Sequence, residues 1–309
     1  VTHEGSASMS YSLLWLFLLS LGAGAGLLWR PAGRSTADER RLRGIALASF
    51  GLLSPWLWVK FPLCVWLGAV SLRWLADRAT DDRRLRRIVL GSFGLRVLAG
   101  VSLYATSYYH WPILRSLQIQ GGFWTFGMDS QLYHAIGAQI AEAWKHGTEL
   151  PNPGTAIDYY AVVAAVYRLL GAHPLYVILL NCWLGALTGW LAYRIGERLF
   201  DKRAALTGAF LVSFWPSSLI WSSQILREAP CWCLILTILW LVVLVAGPDT
   251  RPLRARRWRW ALQAAALAGA AILLTRLRPY LGSALAAVAF VMLVPASCAW
   301  LVRRRPGRA

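Results

Sequence analysis

Long apolar runs recur along the whole chain, separated by short arginine clusters, and this alternation predicts helices that cross a bilayer. The runs near residues 11–29, 88–108, 174–193, 204–222, 230–247 and 280–302 each suit a spanning helix, which needs roughly 20 residues. Residues 260–275 are shorter and are read as one more crossing. Between residues 44 and 72, Pro55 and Pro62 flank Lys60. Proline removes a backbone donor and clashes with the preceding turn, so this stretch is expected to form a tight or re-entrant hairpin with Lys60 at its outer tip. The total is about nine crossings by the length rule. The expected fold is therefore all-α, a polytopic transmembrane helical bundle with its N-terminus outside and its C-terminus inside.

Composition agrees with the pattern: 57% of the 309 residues are hydrophobic, 15% are charged, and 18 are Trp. The net charge of +18 raises nucleic acid as a partner, but the placement of the charge argues against it. Of the 32 basic residues, 24 sit in five short segments, 30–43, 73–87, 194–203, 251–259 and 303–308. Basic clusters between apolar spans are the positive-inside signature of a multi-pass inner-membrane protein. Residues 109–160 hold only Arg115 and Lys145 as basic groups, so this loop is expected on the extracytoplasmic side. The chain then divides into an N-terminal membrane region (1–87), a transmembrane core with an outer loop at 109–173 (88–302), and a basic cytoplasmic tail (303–309).

The residues ahead of Met9 carry no apolar signal and are read as lying upstream of the true start; the run after Met9 is expected to be a retained span. All five cysteines lie in apolar stretches and are expected to be buried thiols. No metal-ligand constellation is legible and no cofactor is assigned, the open alternative being a divalent ion bridging Asp129 and a phosphate.

Chemistry is expected in the outer loop and at the outer helix ends. Residues 129–146 read as an amphipathic helix lying on the membrane, with Leu132, Ile136, Ile140 and Ala143 on one face and Gln131, His134, Ala138, Glu142 and Lys145 on the other. Asp129 opens that helix. It is either a cap accepting a backbone N–H or a base at the water–membrane boundary, bracketed by Trp124, Phe126 and Tyr133. His134, on the polar face, is read as solvated, and Tyr133 as a supporting side chain.

Asp129, Pro151 to Gly154, Tyr167 with Gly171, Asn181 with Gly185, Arg198-Leu199-Phe200, Trp215-Pro216-Ser217 and Arg227-Glu228 follow one another in that order. In order and spacing these pieces resemble the bacterial relatives of protein O-mannosyltransferases, polytopic GT-C glycosyltransferases related to the dolichyl-phosphate-mannose enzymes. The likeness covers roughly residues 85–300. Relatives often carry a second acid beside the loop Asp, where this chain reads Met128-Asp129-Ser130.

The resemblance implies a sugar donor carried on a polyprenyl phosphate, with an unidentified acceptor: a lipid, a polysaccharide or a protein. It implies inverting transfer with Asp129 as base, a contribution of about 10²–10⁴-fold for general base catalysis. Arg227, Arg276 and Arg278 lie near expected outer helix ends, where the insertion rule does not account for them, and are candidates for the donor phosphate, the alternatives being snorkelling anchors for Arg276 and Arg278 and an ion pair with neighbouring residues for Arg227. Glu228 and Asp158 are candidate supporting acids, and Tyr159 and Tyr160 are candidates for stacking on a sugar. Two other readings compete. One is a transporter or flippase using Arg96 and Arg168 within apolar stretches; the other is a non-catalytic scaffold subunit with the same fold.

Overall fold

The structure is a computed structural model that describes residues 57–148, 157–246, 253–284 and 287. Its helices are α1 (Leu57–Ala79), α2 (Arg83–Tyr108), α3 (Asp129–His146), α4 (Ile157–Leu170), α5 (Pro174–Leu199), α6 (Lys202–Phe214), α7 (Pro216–Ser222), α8 (Glu228–Ala246) and α9 (Leu253–Leu277). Between α2 and α3 sits a small antiparallel hairpin of β1 (Gln118–Ile119) and β2 (Phe123–Trp124), turned by Gly121 and Gly122 with φ of 80° and 91°. A positive φ excludes most side chains, which is why glycine occupies both positions.

Five of these helices, α1, α2, α5, α8 and α9, are long and apolar enough to cross a membrane, and the α6–α7 pair makes a sixth if counted as one bent span. The expected total of about nine is thus not reached among the described residues. The expected runs at 11–29 and most of 280–302, together with the first arm of the 44–72 hairpin, lie outside them. The second arm is longer than expected, continuing as helix to Ala79. Lys60 lies in its first turn, where Nζ donates to the Leu170 carbonyl at 3.2 Å.

Local sequence explains the helix ends. Asp82 caps α2 by accepting from the Arg84 N–H at 2.8 Å, and Asp201 caps α6 by accepting from the Ala204 N–H at 2.7 Å. His173 caps α5 through Nδ1, with Pro174 following in the first turn. Gly147, with φ of 67°, ends α3 in the left-handed conformation.

The bundle is built around α5. Two thirds of its apolar window (67%) is buried, against 17–28% for the other four long spans, so α5 is the central helix and the others present their outer faces to lipid. Helices α2 and α5 run antiparallel. Tyr104 meets His173 at one end, and Asp82 pairs with Lys202 at 3.2 Å at the other. The described basic residues of segments 73–87 and 194–203 therefore gather at the end opposite His173. Cys182, Cys231 and Cys233 are buried and Cys64 is half-buried, all as free thiols, as the apolar surroundings led one to expect; Cys298 lies outside the described residues.

The run 204–222, expected as one span, is bent by 52° at Trp215. The residue before a proline is pushed to extended backbone, and Trp215 adopts φ −59°, ψ 122° ahead of Pro216. The break frees carbonyls inside the bundle, and Arg96 of α2 meets them. Its side chain is wholly buried. Nε donates to Ser92 Oγ (3.1 Å), Nη1 to the Ser218 carbonyl (2.6 Å) and to Ser222 Oγ, and Nη2 to the Ser213 carbonyl (2.9 Å) and Ser218 Oγ (3.0 Å). Gly185 of α5 makes room for it, since a Cβ there would stand 2.9 Å from Nη1 and 3.0 Å from Cζ.

Candidate functional site

At the His173 end of the bundle, four separate parts of the chain converge: the start of α3, the start of α4, the link between α7 and α8, and the end of α9. Tyr133 of α3 is at the centre. It is buried, edge-on to Tyr159 at 4.7 Å and tilted against Tyr160 at 5.2 Å between ring centroids. Burial pushes its phenol up to about 12; the positive charge of Arg227 opposes that shift, and the negative charges of Asp129 and Glu228 add to it. Tyr160 feels the charges of Asp129 and Arg227 as well. Asp129, Arg227, Glu228, Tyr133 and Tyr160 thus form one electrostatic neighbourhood, although their sequence positions span a hundred residues.

Asp129 is the first residue of α3 and is exposed. No side chain caps that terminus, so the capping alternative does not describe it. Below it, Ser130 is wholly buried and its Oγ has no hydrogen-bond partner among the described residues. Close approach of the chain at Gly127 brings this region against Gln224: a Cβ at Gly127 would lie 3.2 Å from Ser130 Oγ and 3.6 Å from Gln224 Cγ.

Arg227 is held by what precedes it. The Leu226 carbonyl accepts from the Tyr159 hydroxyl (2.9 Å) and from Asn181 Nδ2 (2.8 Å), and the same Nδ2 donates to the Gln224 carbonyl at 2.7 Å. The guanidinium is half-buried; Nη1 donates to the Leu277 carbonyl at 3.2 Å, and Nε is buried without a partner among the described residues. Arg278 pairs with Glu228 and lies over the Tyr280 ring at 5.7 Å, while the second carboxylate oxygen of Glu228 is buried and unpartnered among the described residues. Arg227 Nε and Glu228 Oε2 leave polar capacity for a ligand that carries both acceptors and donors.

Several sequence expectations change here. Tyr159 and Tyr160 are buried beneath the site and do not offer a face to a sugar. His134 is half-buried, 2.7 Å from the Tyr167 hydroxyl and packed against Phe123, and so is not simply solvated. Of the four residues expected on the apolar face of α3, Ile140 and Ala143 are buried, Ile136 is half-buried and Leu132 is largely exposed. Arg276 is exposed on the last turn of α9, apart from the Arg278–Glu228 pair. Arg168 is exposed as well. Asp158 lies in the first turn of α4, but its side chain is outside the described set. Gln224 and Ser130 were not singled out in the sequence. A lone Gln in "WSSQIL", next to apolar residues, is the signal by which the first could have been found.

Residues 156–306, about half of the chain, match the family described as dolichyl-phosphate-mannose-protein mannosyltransferase. Over this stretch the chain belongs to that family. The match is to membrane-embedded, GT-C-like glycosyltransferases and supports an enzymatic role. It covers α4 through α9, and with them Tyr159, Tyr160, Arg227, Glu228, Arg276 and Arg278, whereas Asp129 and Tyr133 precede it. No curated protein and no solved structure matches the chain.

Proposed function

We propose that the chain is a membrane glycosyltransferase that moves a sugar from a polyprenyl-phosphate donor to an acceptor hydroxyl on the extracytoplasmic face, with inversion. The observation that carries this reading is the gathering of Asp129, Arg227, Glu228 and Arg278 at the end of the bundle opposite the basic clusters. By the positive-inside rule, that end faces outward. Nucleotide sugars are cytoplasmic, so a donor for this face has to be lipid-borne, in keeping with the family match.

In the proposed reaction, Asp129 takes the proton of the acceptor hydroxyl as its oxygen bonds to the anomeric carbon. The bond from that carbon to the phosphate oxygen breaks, and its electron pair leaves with the polyprenyl phosphate. Arg227 and Arg278 stabilise the departing phosphate, Arg278 being steered by Glu228. Asp129 suits the base because it is exposed and carries no cap bond. Arg276, exposed two residues before Arg278, would meet the phosphate only at the headgroup level.

The flippase reading is less well supported, because the full set of hydrogen bonds on Arg96 accounts for that charge structurally. The deciding experiment incubates membranes containing the chain with a panel of labelled polyprenyl-phosphate sugars. Transfer by the native chain and its loss in Asp129→Asn, at equal membrane insertion, supports the reading. Undiminished transfer by the variant removes Asp129 from the chemistry, and no transfer from any donor favours a scaffold.

A further inference from the structure

The segment that leaves α2 is apolar yet turned outward. Tyr109, Trp111, Ile113, Leu114 and Leu117 are 51%, 47%, 58%, 59% and 39% exposed. A few residues on, Phe123 and Trp124 of the hairpin are buried, so the core was within reach of this stretch.

The outward shape is built. Gln118 Nε2 donates to the carbonyls of both Trp111 and Ile113 at 2.8 Å. The Trp111 N–H returns to the Thr106 carbonyl at 3.0 Å, and Ser107 Oγ ties the base of the segment to the Ile119 and Phe123 carbonyls at 2.8 and 2.7 Å. Two residues with side chains, His110 and Leu114, take left-handed φ of 53° and 52° to hold this course, a conformation that L-residues other than glycine disfavour. A loop shaped only by the hydrophobic effect would fold its apolar side chains inward rather than spend backbone comfort on displaying them.

We propose that residues 108–117 form a membrane-seated loop that fastens this end of the bundle to the boundary between lipid tails and headgroups. Three observations select lipid as the occupant. The loop is continuous with α2, whose apolar span ends at Tyr108, so it begins where that helix reaches the edge of the bilayer. Its aromatics, Tyr108, Tyr109 and Trp111, are the residue types that populate the interfacial belt. Residues 108–117 contain no carboxylate, and their one arginine, the exposed Arg115, can reach headgroup phosphates while its stem lies among apolar groups.

The test places an environment-sensitive fluorophore on Ile113→Cys, and separately on Leu114→Cys, in the full chain reconstituted into vesicles. Native chain treated with the same fluorophore corrects for labelling of the native thiols, and Glu142→Cys, on an exposed polar position of α3, is the aqueous reference. At both loop positions, emission is expected to shift to the blue, nitroxide lipids labelled near the headgroup to quench strongly, and aqueous iodide to quench several-fold less than at position 142. Iodide quenching equal to that at position 142 at both sites would overturn the proposal. So would shielding that is present in vesicles holding many copies and lost in nanodiscs holding one, because a second copy would then be the cover.

Discussion

The Tyr159 hydroxyl donates to the Leu226 carbonyl at 2.9 Å, joining the start of α4 to the residue before Arg227 across 67 positions of sequence. Asn181 of α5 reaches the same oxygen. The link between α7 and α8 is therefore clamped from two sides, and the position of Arg227 follows from the clamp.

Removing half of the clamp is expected to be mild. In Tyr159→Phe the carbonyl keeps Asn181, so the cost is about 1 kcal/mol, typical of one hydrogen bond. Adding Asn181→Ala leaves the buried Leu226 carbonyl without a side-chain donor, and an orphaned group costs roughly 1–3 kcal/mol, while the Gln224 carbonyl keeps the Leu226 N–H at 3.0 Å. Thermal unfolding of the purified variants should show the double variant falling by more than the sum of the singles. If the proposed donor site is right, apparent donor affinity falls in the same order.

The seam between α3 and α4 depends on Gly137. A Cβ there would come within 2.5 Å of Val163 Cγ1 and 2.9 Å of Val163 Cβ. Gly137→Ala should therefore cost about 1–3 kcal/mol, the usual penalty for overpacking. Val163→Ala in the same chain removes the Cγ1 contact but keeps Cβ, so it should restore part of the loss, and a melting-temperature cycle over the four proteins would show it.

Arg96 separates the structural role from the transport reading. Lysine offers three donors from one point and cannot copy the fork that reaches Ser92, Ser213, Ser218 and Ser222. Arg96→Lys is expected to lose roughly 2–4 kcal/mol through charge-assisted bonds that are no longer made, measured as an earlier melting transition in detergent. A residue lining a transport path would instead change flux while the melting temperature stayed the same.

Acid should loosen the site end of the bundle. Burial, and to a lesser extent the charge of His134, hold the His173 ring down to about 4 from the ordinary 6.5, and burial lowers His134 as well. Both favour the neutral ring in the folded state, so their contribution to stability is complete above pH 6.5 and is lost as pH falls from 6.5 toward 4. Protonation of His173 also removes the Nδ1 acceptor that caps α5. His173→Asn keeps a capping side chain that does not titrate, and the acid-side fall in melting temperature should be shallower for it than for the native chain.

The sequence was most legible where one local property decided the outcome. The spans α2, α5 and α8 follow from long apolar runs, whereas the caps Asp82 and Asp201 were not read from the sequence. The two prolines show where local reading stops. Pro62, in the second turn of α1, removes a single bond near the helix start and leaves the helix intact, whereas Pro216 bends its span because Trp215 has to be extended ahead of it. Sequence alone does not separate these cases, since the difference lies in whether a neighbour such as Arg96 can take up the freed carbonyls.

In the candidate site, Asp129, Arg227, Glu228 and Arg278 were legible as charged residues at expected helix ends and Tyr133 as a supporting side chain beside Asp129, and the structure brings them into one neighbourhood. The contacts that fix them were not legible, because they join distant positions. The Tyr167 partner lies 33 residues beyond His134, and periodicity on α3 assigns that histidine to a polar face with no sight of it. The burial of Tyr159 and Tyr160 escaped for the same reason, since the α7–α8 link that covers Tyr159 is far away in the chain.

The 52° bend between α6 and α7 makes this span shorter, measured across the bundle, than its residue count suggests. A thicker bilayer favours straightening such a helix and a thinner one favours the kink, at a modest cost per ångström of mismatch. Only Ser223 to Arg227 separate α7 from α8, so any straightening is passed on to the guanidinium at their junction. Lipid acyl-chain length is thereby expected to shift the end of the bundle that carries Arg227.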